Sequence, residues 1–333
     1  MKYKLKLNML QPGDIILVGY NDELSREIQA RTDSRFSHAM LYWRDSIIHA
    51  GDIVITENPS RMLFDADESV CVLRLKDAHG NEFRKQEIIK HARSFVGTLY
   101  DTDALNALNN GDKPFFNPNR QMCSKFVAQC YDYACLDLVE DYDTCSPQDL
   151  YESQLVDWYE EVLTEANESD IEFANSKDVT KLQFRAIFFI IGKLRKKFPQ
   201  ADIMSLTQLE DFIAKHPESS EEVLGIMRSS GYFDLWKKEK EYCPYLYDKD
   251  LFKEFWKQDS INKAFEIISL SKQIIAEKEN DIVYYKEQMA SVGDLSYYKE
   301  MLSLRENIVA NERMRIDVAE KVLLDNHIVR INI

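Results

Sequence analysis

The sequence lacks the motifs that build metal and disulfide sites. Its 333 residues contain six scattered cysteines, no two of which form a CxxC pair, and no two histidines have zinc-finger spacing. Cysteines this sparse are ordinary for a reduced intracellular protein and do not form a disulfide framework. We therefore expect no metal ion, no other cofactor and a cytoplasmic location.

Long apolar runs are also missing. The most apolar run, 186–191, is too short to span a bilayer and is followed by basic residues. The amino terminus is basic but has no apolar segment behind it, so no secretory signal is visible. These absences predict a soluble protein without an integral membrane segment.

Positive charge is in deficit. The formal net charge is -15, and residues 1–150 and the rest of the chain are both acidic. An acidic protein is not attracted to the dense negative surface of a nucleic acid, so we expect no nucleic-acid partner. The hydrophobic share of 45% and the aromatic share of 11% instead predict one large or two ordinary packed domains.

The first part of the chain mixes short β-type runs with short helices. Two of these runs, 39–43 and 46–50, are close enough to pair as a hairpin. Helices are predicted at 83–96 and 122–138. The Asn- and Pro-rich stretch 101–120 is predicted to be a long loop. This pattern predicts an α+β fold with a small antiparallel sheet.

From about Tyr151 the β-type runs disappear and helical patterns dominate. Apolar residues recur every seven positions in two stripes on either side of a Gly-containing turn at 291–294. The stripes are Ile261, Ile268, Ile275, Ile282 and Met289, then Leu295, Leu302, Val309, Ile316 and Leu323. They predict an antiparallel helical hairpin packed on a bundle, because companion seam positions such as Lys272 are polar.

The predicted domains are therefore 1–155, with an α+β fold, and 156–333, which is all-helical. We interpret the helical domain as an accessory part that selects substrate, self-associates or binds a protein partner. Charged helical positions such as Arg313, Arg315 and 193–197 are interpreted as solvated faces.

Cys123 stands where the Asn- and Pro-rich stretch gives way to a helix. A helix amino terminus and a neighbouring imidazole both lower the pKa of a thiol, through the peptide dipoles and the positive charge of the ring. The N–H of Cys123 is also one of the unpaired donors of the first turn, so it can stabilise an oxyanion. Most cysteines are structural, and Cys130, on nearly the same helix face, is interpreted as a core residue.

Two histidines upstream offer a base for this thiol. His38 begins one apolar strand, and His49 ends the next, eleven residues later. If the two strands pair as a hairpin, both imidazoles fall near one end of the sheet. One ring can then orient the other through a ring N–H hydrogen bond. We predict Cys123 as nucleophile and His38 as its base.

Five short strings occur in an order that resembles a known superfamily. They are PGDIIL from Pro12, FSHAMLY from Phe36, GTLYD from Gly97, MCSKFV from Met122 and SPQDL from Ser146. Together they resemble the permuted NlpC-type papain-like hydrolases. Within these, the closest likeness is to the YiiX/YaeF-like group, which is related to lecithin:retinol acyltransferase-like proteins. The resemblance covers about residues 10–155, and histidine preceding cysteine is the order that marks the permuted branch.

The resemblance implies a permuted papain-like fold in which Cys123 is the nucleophile and His38 the base. It places His49 at the third, ring-orienting position. Branches of the superfamily differ at that position, so Glu57 and Asn58 remain alternatives. Tyr100 matches a tyrosine that lines the cleft, and packing in the core is the alternative for it. No metal or cofactor is implied.

Three functions follow from these features. The first is a cysteine hydrolase that acts on an amide bond, peptidase- or amidase-like, through a thioester that water resolves. The second is the same chemistry on a lipid ester, as a phospholipase or acyltransferase. We rank it second because the sequence shows no strong amphipathic basic helix. The third is a binding or scaffold protein without catalysis, in which the helical half binds the partner.

Overall fold

A computed structural model of the chain shows two compact units. It describes residues 1–44, 46–76, 81–110, 117 and 119–326. The first unit is Met1–Ser176 together with Asp202–Leu209. The second is Lys177–Ala201 together with the chain from Glu210 onwards.

The strands of the first unit form two antiparallel sheets. In chain order they are β1 (Lys2–Leu5), β2 (Ile15–Gly19), β3 (His38–Trp43), β4 (Ser46–Ala50), β5 (Val54–Glu57), β6 (Phe64–Asp65), β7 (Ser69–Leu75), β8 (Val156–Tyr159) and β9 (Leu163–Glu165). One sheet has the order β5-β4-β3-β2-β7-β8, and the smaller one has the order β6-β1-β9. Every pair in both sheets is antiparallel, as the α+β prediction required.

Helices cover one face of the larger sheet. Those of the first unit are α1 (Glu23–Thr32), α2 (Glu82–Ser94), α3 (Thr102–Asn110), α4 (Cys123–Tyr133), α5 (Pro147–Tyr151) and α6 (Glu168–Asn175). Successive strand residues point to opposite faces, so Ile15 and Leu17 of β2 pack with α2 and α4. Ile16 and Val18 pack with Leu5 of the smaller sheet. Both faces of β2 are thus buried, which explains its unbroken apolar run.

Two predictions for the first unit are corrected. Residues 102–110 form α3 rather than a loop, because Asp101 Oδ1 accepts the Ala104 N–H at 3.2 Å and starts the helix. The rest of that stretch, 111–116 and 118, lies outside the described residues. The β-type structure also does not end at Tyr151. β8 and β9 complete the two sheets, so the first unit extends past the predicted boundary after residue 155.

In its described residues the second unit contains helices and no β-strand. Its helices are α7 (Val179–Lys197), α8 (Leu206–Lys215, which starts in the first unit), α9 (Ser220–Ser229), α10 (Leu235–Tyr242), α11 (Lys249–Trp256), α12 (Ser260–Ser291) and α13 (Ser296–Asp325). α12 and α13 form the predicted hairpin, and Gly293 in their turn has a φ of 125°, which suits glycine. α13 also packs against α9 and α11, so the hairpin is part of a bundle.

The prediction that Arg315 lies on a solvated face is wrong. Arg315 is 9% exposed, forms ion pairs with Glu239 and with Glu312, the latter at 2.8 Å, and donates to the Tyr247 hydroxyl at 3.1 Å. A buried arginine needs such partners, and Glu239 and Tyr247 come from a distant part of the chain. Arg313 is exposed and pairs with Glu279, as a solvated face would.

Candidate active site

The β3–β4 hairpin brings two imidazoles together. Its register pairs Leu41 with Ile48, and Arg44 in the turn adopts a positive φ of 58°. His38 and His49 therefore lie at one end of the sheet, as the hairpin prediction required. The distance from His38 Nε2 to His49 Nδ1 is 2.8 Å, and the ring planes are 89° apart.

The next strand adds a carboxylate behind this pair. β5 pairs with β4, and Glu57 Oε2 lies 3.4 Å from His49 Nε2. The His49 side chain is 12% exposed and that of Glu57 is 35% exposed, so the contact is only partly shielded from water, and His49 Nε2 makes no hydrogen bond within the described part of the chain. Asn58 instead caps the short 3-10 turn Pro59–Arg61 by accepting a backbone N–H. The geometry thus places His49 against His38 and Glu57 against His49.

Cys123 is the first residue of α4, as predicted. Its Sγ lies 3.9 Å from the carbonyl oxygen of Ser37, which places the sulfur beside the start of β3. In the part of the chain that the structure describes, no hydrogen bond joins this sulfur to the His38 ring. Such contacts are often long in unliganded sites and tighten when substrate binds. Met122 provides no capping side chain, so the first-turn N–H groups at the sulfur end of α4 lack that cap.

Burial sets the charge of both groups. Desolvation, with a smaller contribution from His49, lowers the pKa of His38 to about 3, so its ring is neutral at pH 7. Desolvation also raises the pKa of the Cys123 thiol, against the backbone N–H groups of Ala39 and Ser124, which lower it. The expectation of a lowered thiol pKa is therefore wrong. The site contains a neutral thiol near a neutral imidazole.

Tyr100 lies on a segment that is fixed beside the sulfur. Its N–H donates to the carbonyl of Asp52 at 3.0 Å, and the Gln121 N–H donates to the carbonyl of Leu99 at 3.0 Å. This segment therefore connects the β4–β5 turn to the residues that lead into α4. Burial, and then the neighbouring Cys123, raises the pKa of the Tyr100 hydroxyl well above its ordinary value. The hydroxyl stays protonated and can donate a hydrogen bond next to the sulfur.

Tyr20 is a second aromatic residue at the site, and the sequence analysis missed it. Its ring centroid lies 6.1 Å from that of His38, and burial raises the pKa of its hydroxyl. Gly19, just before it, allows a close approach of two chain segments, because a Cβ there would lie 2.0 Å from the carbonyl oxygen of Arg35. The pairing of β2 with β3 could have indicated Tyr20, because Val18 pairs with His38 and Tyr20 follows two residues later.

The described ranges contain no group of three or more His, Cys, Asp or Glu side chains arranged to hold a metal ion. Among these same residues, no helix has the length and apolarity needed to cross a membrane.

An antiparallel sheet packed on a helix that starts with cysteine, with histidines on earlier strands, defines a permuted papain-like fold. Comparison with known families leads to the same class. The family model for the permuted papain-like amidase enzymes (YaeF/YiiX, C92 family) matches residues 9–182. Because this is more than half of the chain, the protein belongs to that family. Membership confirms the superfamily suggested by the five strings and supports a hydrolase of the amidase class.

One solved structure shows a more distant similarity. It is the metalloprotein YiiX from Escherichia coli O157:H7, with 16% sequence identity and a TM-score of 0.35. The alignment covers 45% of this chain and 96% of that one. A search of the curated proteins found no match.

Proposed function

We propose that the first unit hydrolyses an amide bond, with Cys123 as nucleophile, His38 as its base and His49 as the residue that orients His38. The observation that carries the proposal is the 2.8 Å contact between His38 Nε2 and His49 Nδ1, at the strand end where the Cys123 sulfur lies. Family membership supports the amide as the type of bond.

The contacts of the two rings favour one arrangement of protons. We assign the proton of His49 to Nε2, which makes no hydrogen bond to any described residue but lies 3.4 Å from the Glu57 carboxylate, an acceptor when ionised. His49 Nδ1 then carries a lone pair and accepts the Nε2–H of His38. His38 Nδ1 is consequently the ring nitrogen with a free lone pair. A base in this tautomer can take the proton of the Cys123 thiol, and the carboxylate stabilises the charge that develops on the rings.

The reaction follows from these roles. The thiol proton moves to His38 as the Cys123 sulfur attacks the substrate carbonyl carbon. The Cys123 N–H, with the Tyr100 hydroxyl nearby, stabilises the oxyanion. His38 then gives its proton to the leaving nitrogen, the C–N bond breaks and a thioester remains. Finally His38 takes a proton from water, the resulting hydroxide attacks the thioester carbonyl carbon, and the C–S bond breaks to release the acid product. The proton on His38 then returns to the sulfur.

Burial gives this mechanism a protected resting state. A thiol with a raised pKa is protonated at pH 7, and it reacts weakly until His38 takes its proton. Attack therefore depends on an electrophile positioned between the sulfur and His38. Removing the base should slow the reaction of Cys123 with an electrophile far more than the reaction of an exposed cysteine.

Site-resolved alkylation tests the assignment. Iodoacetamide at pH 7, followed by peptide mapping, measures the rate at Cys123 and, in the same sample, at the exposed Cys135. General-base assistance typically contributes 10²–10⁴-fold, so His38→Asn should slow Cys123 alkylation by about 100-fold and leave Cys135 unchanged. In Cys123→Ala the labelled active-site peptide should disappear.

His216→Asn is the matched control, because His216 is an exposed histidine of the second unit. It should leave both alkylation rates unchanged. Equal rates at Cys123 in the natural protein and in His38→Asn would overturn the role of His38 as base.

A further inference from the structure

Helix α7 exposes aromatic rings on the side where a packed amphipathic helix is normally polar. Phe188 is 48% exposed and Phe189 is 38% exposed. Phe184 stacks beside Phe188, with ring centroids 6.1 Å apart. The other side of the helix is buried through Ala186, Ile187, Ile190, Ile191 and Leu194. The exposed rings are therefore additional to the packing of α7 and do not contribute to its core.

Positive charge surrounds these rings. α7 contains six Lys and Arg residues and no Asp or Glu, in a chain whose net charge is -15. Lys181, Arg185, Phe188 and Lys196 follow one another at helical spacing and are all exposed. We define the α7 face by the residues Lys181, Phe184, Arg185, Phe188, Phe189, Gly192, Lys193 and Lys196.

Two further details describe this face. Lys193 Nζ lies 5.4 Å from the centre of the Phe189 ring, so a cation and an aromatic ring share one patch. A Cβ built on Gly192 meets no atom within 4 Å, so the space above the helix backbone is open between the rings and the basic end.

The helix dipole accounts for only part of the charge. Basic residues in the last turn, 195–197, interact favourably with the negative end of a helix. Lys197 also pairs with Glu222 at 2.5 Å. Lys181, however, lies in the first turn, where the helix end is positive and a cation is disfavoured, and Arg185 lies beyond the reach of either end. The helix dipole therefore does not account for these two cations.

We propose that the α7 face binds the surface of an anionic lipid bilayer. Helices that lie in the membrane interface combine Lys and Arg with Phe or Leu, so that rings enter the headgroup region while cations contact anionic lipids. The net charge repels this chain from such a surface, and a local basic patch with exposed rings is what can hold it there. In the sequence, α7 does not stand out as a basic amphipathic helix, because it also carries the apolar residues of its buried side.

An acidic protein, a nucleic acid or a second copy of this acidic chain would also attract the cations. None of these has the hydrocarbon layer that accepts Phe188 and Phe189. The proposal therefore requires that both the charges and the rings contribute to binding, and that requirement separates the bilayer from the other partners. Binding is independent of the proposed amidase reaction, since α7 contains none of its residues.

Vesicle sedimentation of the full chain tests the proposal. Neutral phosphatidylcholine vesicles should bind little protein, and vesicles with about one-third phosphatidylserine should bind it in a salt-sensitive way. A basic residue near an anionic surface contributes about fivefold to partitioning. Arg185→Gln combined with Lys196→Gln should therefore weaken binding about 25-fold. Phe188→Ser combined with Phe189→Ser should weaken it at least tenfold.

Matched controls come from other exposed helical positions of the second unit. Lys299→Gln with Lys321→Gln removes the same charge from side chains that are 55% and 60% exposed. Val283→Ser with Leu324→Ser removes apolar side chains that are 54% and 53% exposed. Both controls should bind within about twofold of the natural protein, because surface changes away from an interface have small effects.

Three results would overturn the proposal. The first is no preference for anionic vesicles. The second is a loss of binding in the control variants equal to that in the α7 variants. The third is binding that depends on the charges but not on the rings and is matched by heparin or by self-association, which would assign the face to a soluble acidic partner.

Discussion

The neutral state of the partly buried His38 ring predicts how the first unit responds to acid. The pKa of His38 is lowered to about 3 in the folded state, whereas a histidine in an unfolded chain has a pKa of about 6.5. Below pH 6.5 the unfolded chain therefore binds more protons than the folded one at this site. The free energy of unfolding should fall as the pH falls from 6.5 towards 3.

The magnitude at pH 5 follows from these two pKa values. Between pH 8 and pH 5, linkage for a group with these two pKa values removes about 2 kcal/mol of stability. This loss depends on the pKa of His38 in the unfolded chain. It hardly depends on the pKa of His38 in the folded protein, provided that this pKa stays below about 4. The variant His38→Asn lacks this titrating group. Its free energy of unfolding should therefore fall by about 2 kcal/mol less between pH 8 and pH 5 than that of the parent protein.

Urea unfolding at pH 8 and pH 5 measures this difference. In a background with Trp236→Phe and Trp256→Phe, the fluorescence reports the two tryptophans of the first unit, Trp43 and Trp158. His216→Asn in the second unit is the control and should follow the parent protein. If His38→Asn and the parent lose the same stability to within about 0.5 kcal/mol, His38 is not held neutral by burial.

Three further variants test packing, two of them in the first unit and one on α7 of the second. Arg74→Met should destabilise the first unit by about 3–5 kcal/mol in urea unfolding, because Arg74 pairs through two hydrogen bonds with Asp14, which is only 1% exposed; little change would mean that water reaches that carboxylate. Gly19→Ala should cost about 1–3 kcal/mol and slow Cys123 alkylation, because its Cβ would press on the chain that enters β3. Gly192→Ala, in open space on a helix, should stabilise by about 0.5–1 kcal/mol, and equal effects of the two glycine variants would contradict the close approach at Gly19.

Local pattern was sufficient to predict where the candidate site residues lie. Cys123 follows a turn-rich stretch and starts an apolar helix, so its place at a helix start could be predicted. His38 and His49 flank two apolar runs joined by two residues, and a short hairpin leaves few possible registers. The contact between their rings followed from that register alone.

Features that depend on distant partners were not predictable. The position of Glu57 beside His49 depends on the β4–β5 register, and the position of Tyr20 beside His38 depends on the pairing of β2 with β3. The raised pKa of the Cys123 thiol depends on how completely the site is buried, which outweighs the helix dipole. β8 escaped prediction because it is an edge strand in which only Val156 is buried. α3 was hidden by its Asn-rich composition, since Asn favours loops unless a cap such as Asp101 starts a helix.

The central claim is that Cys123 forms a covalent acyl intermediate with help from His38. Intact-protein and peptide mass spectrometry after rapid mixing with an activated acyl substrate, such as a nitrophenyl ester, tests this most directly. The account predicts an acyl group on Cys123 that forms within a burst and is then lost to water. It predicts no adduct in Cys123→Ala, and formation slowed by about 100-fold in His38→Asn. Acylation of another residue, or equal acylation of Cys123 without His38, would contradict it.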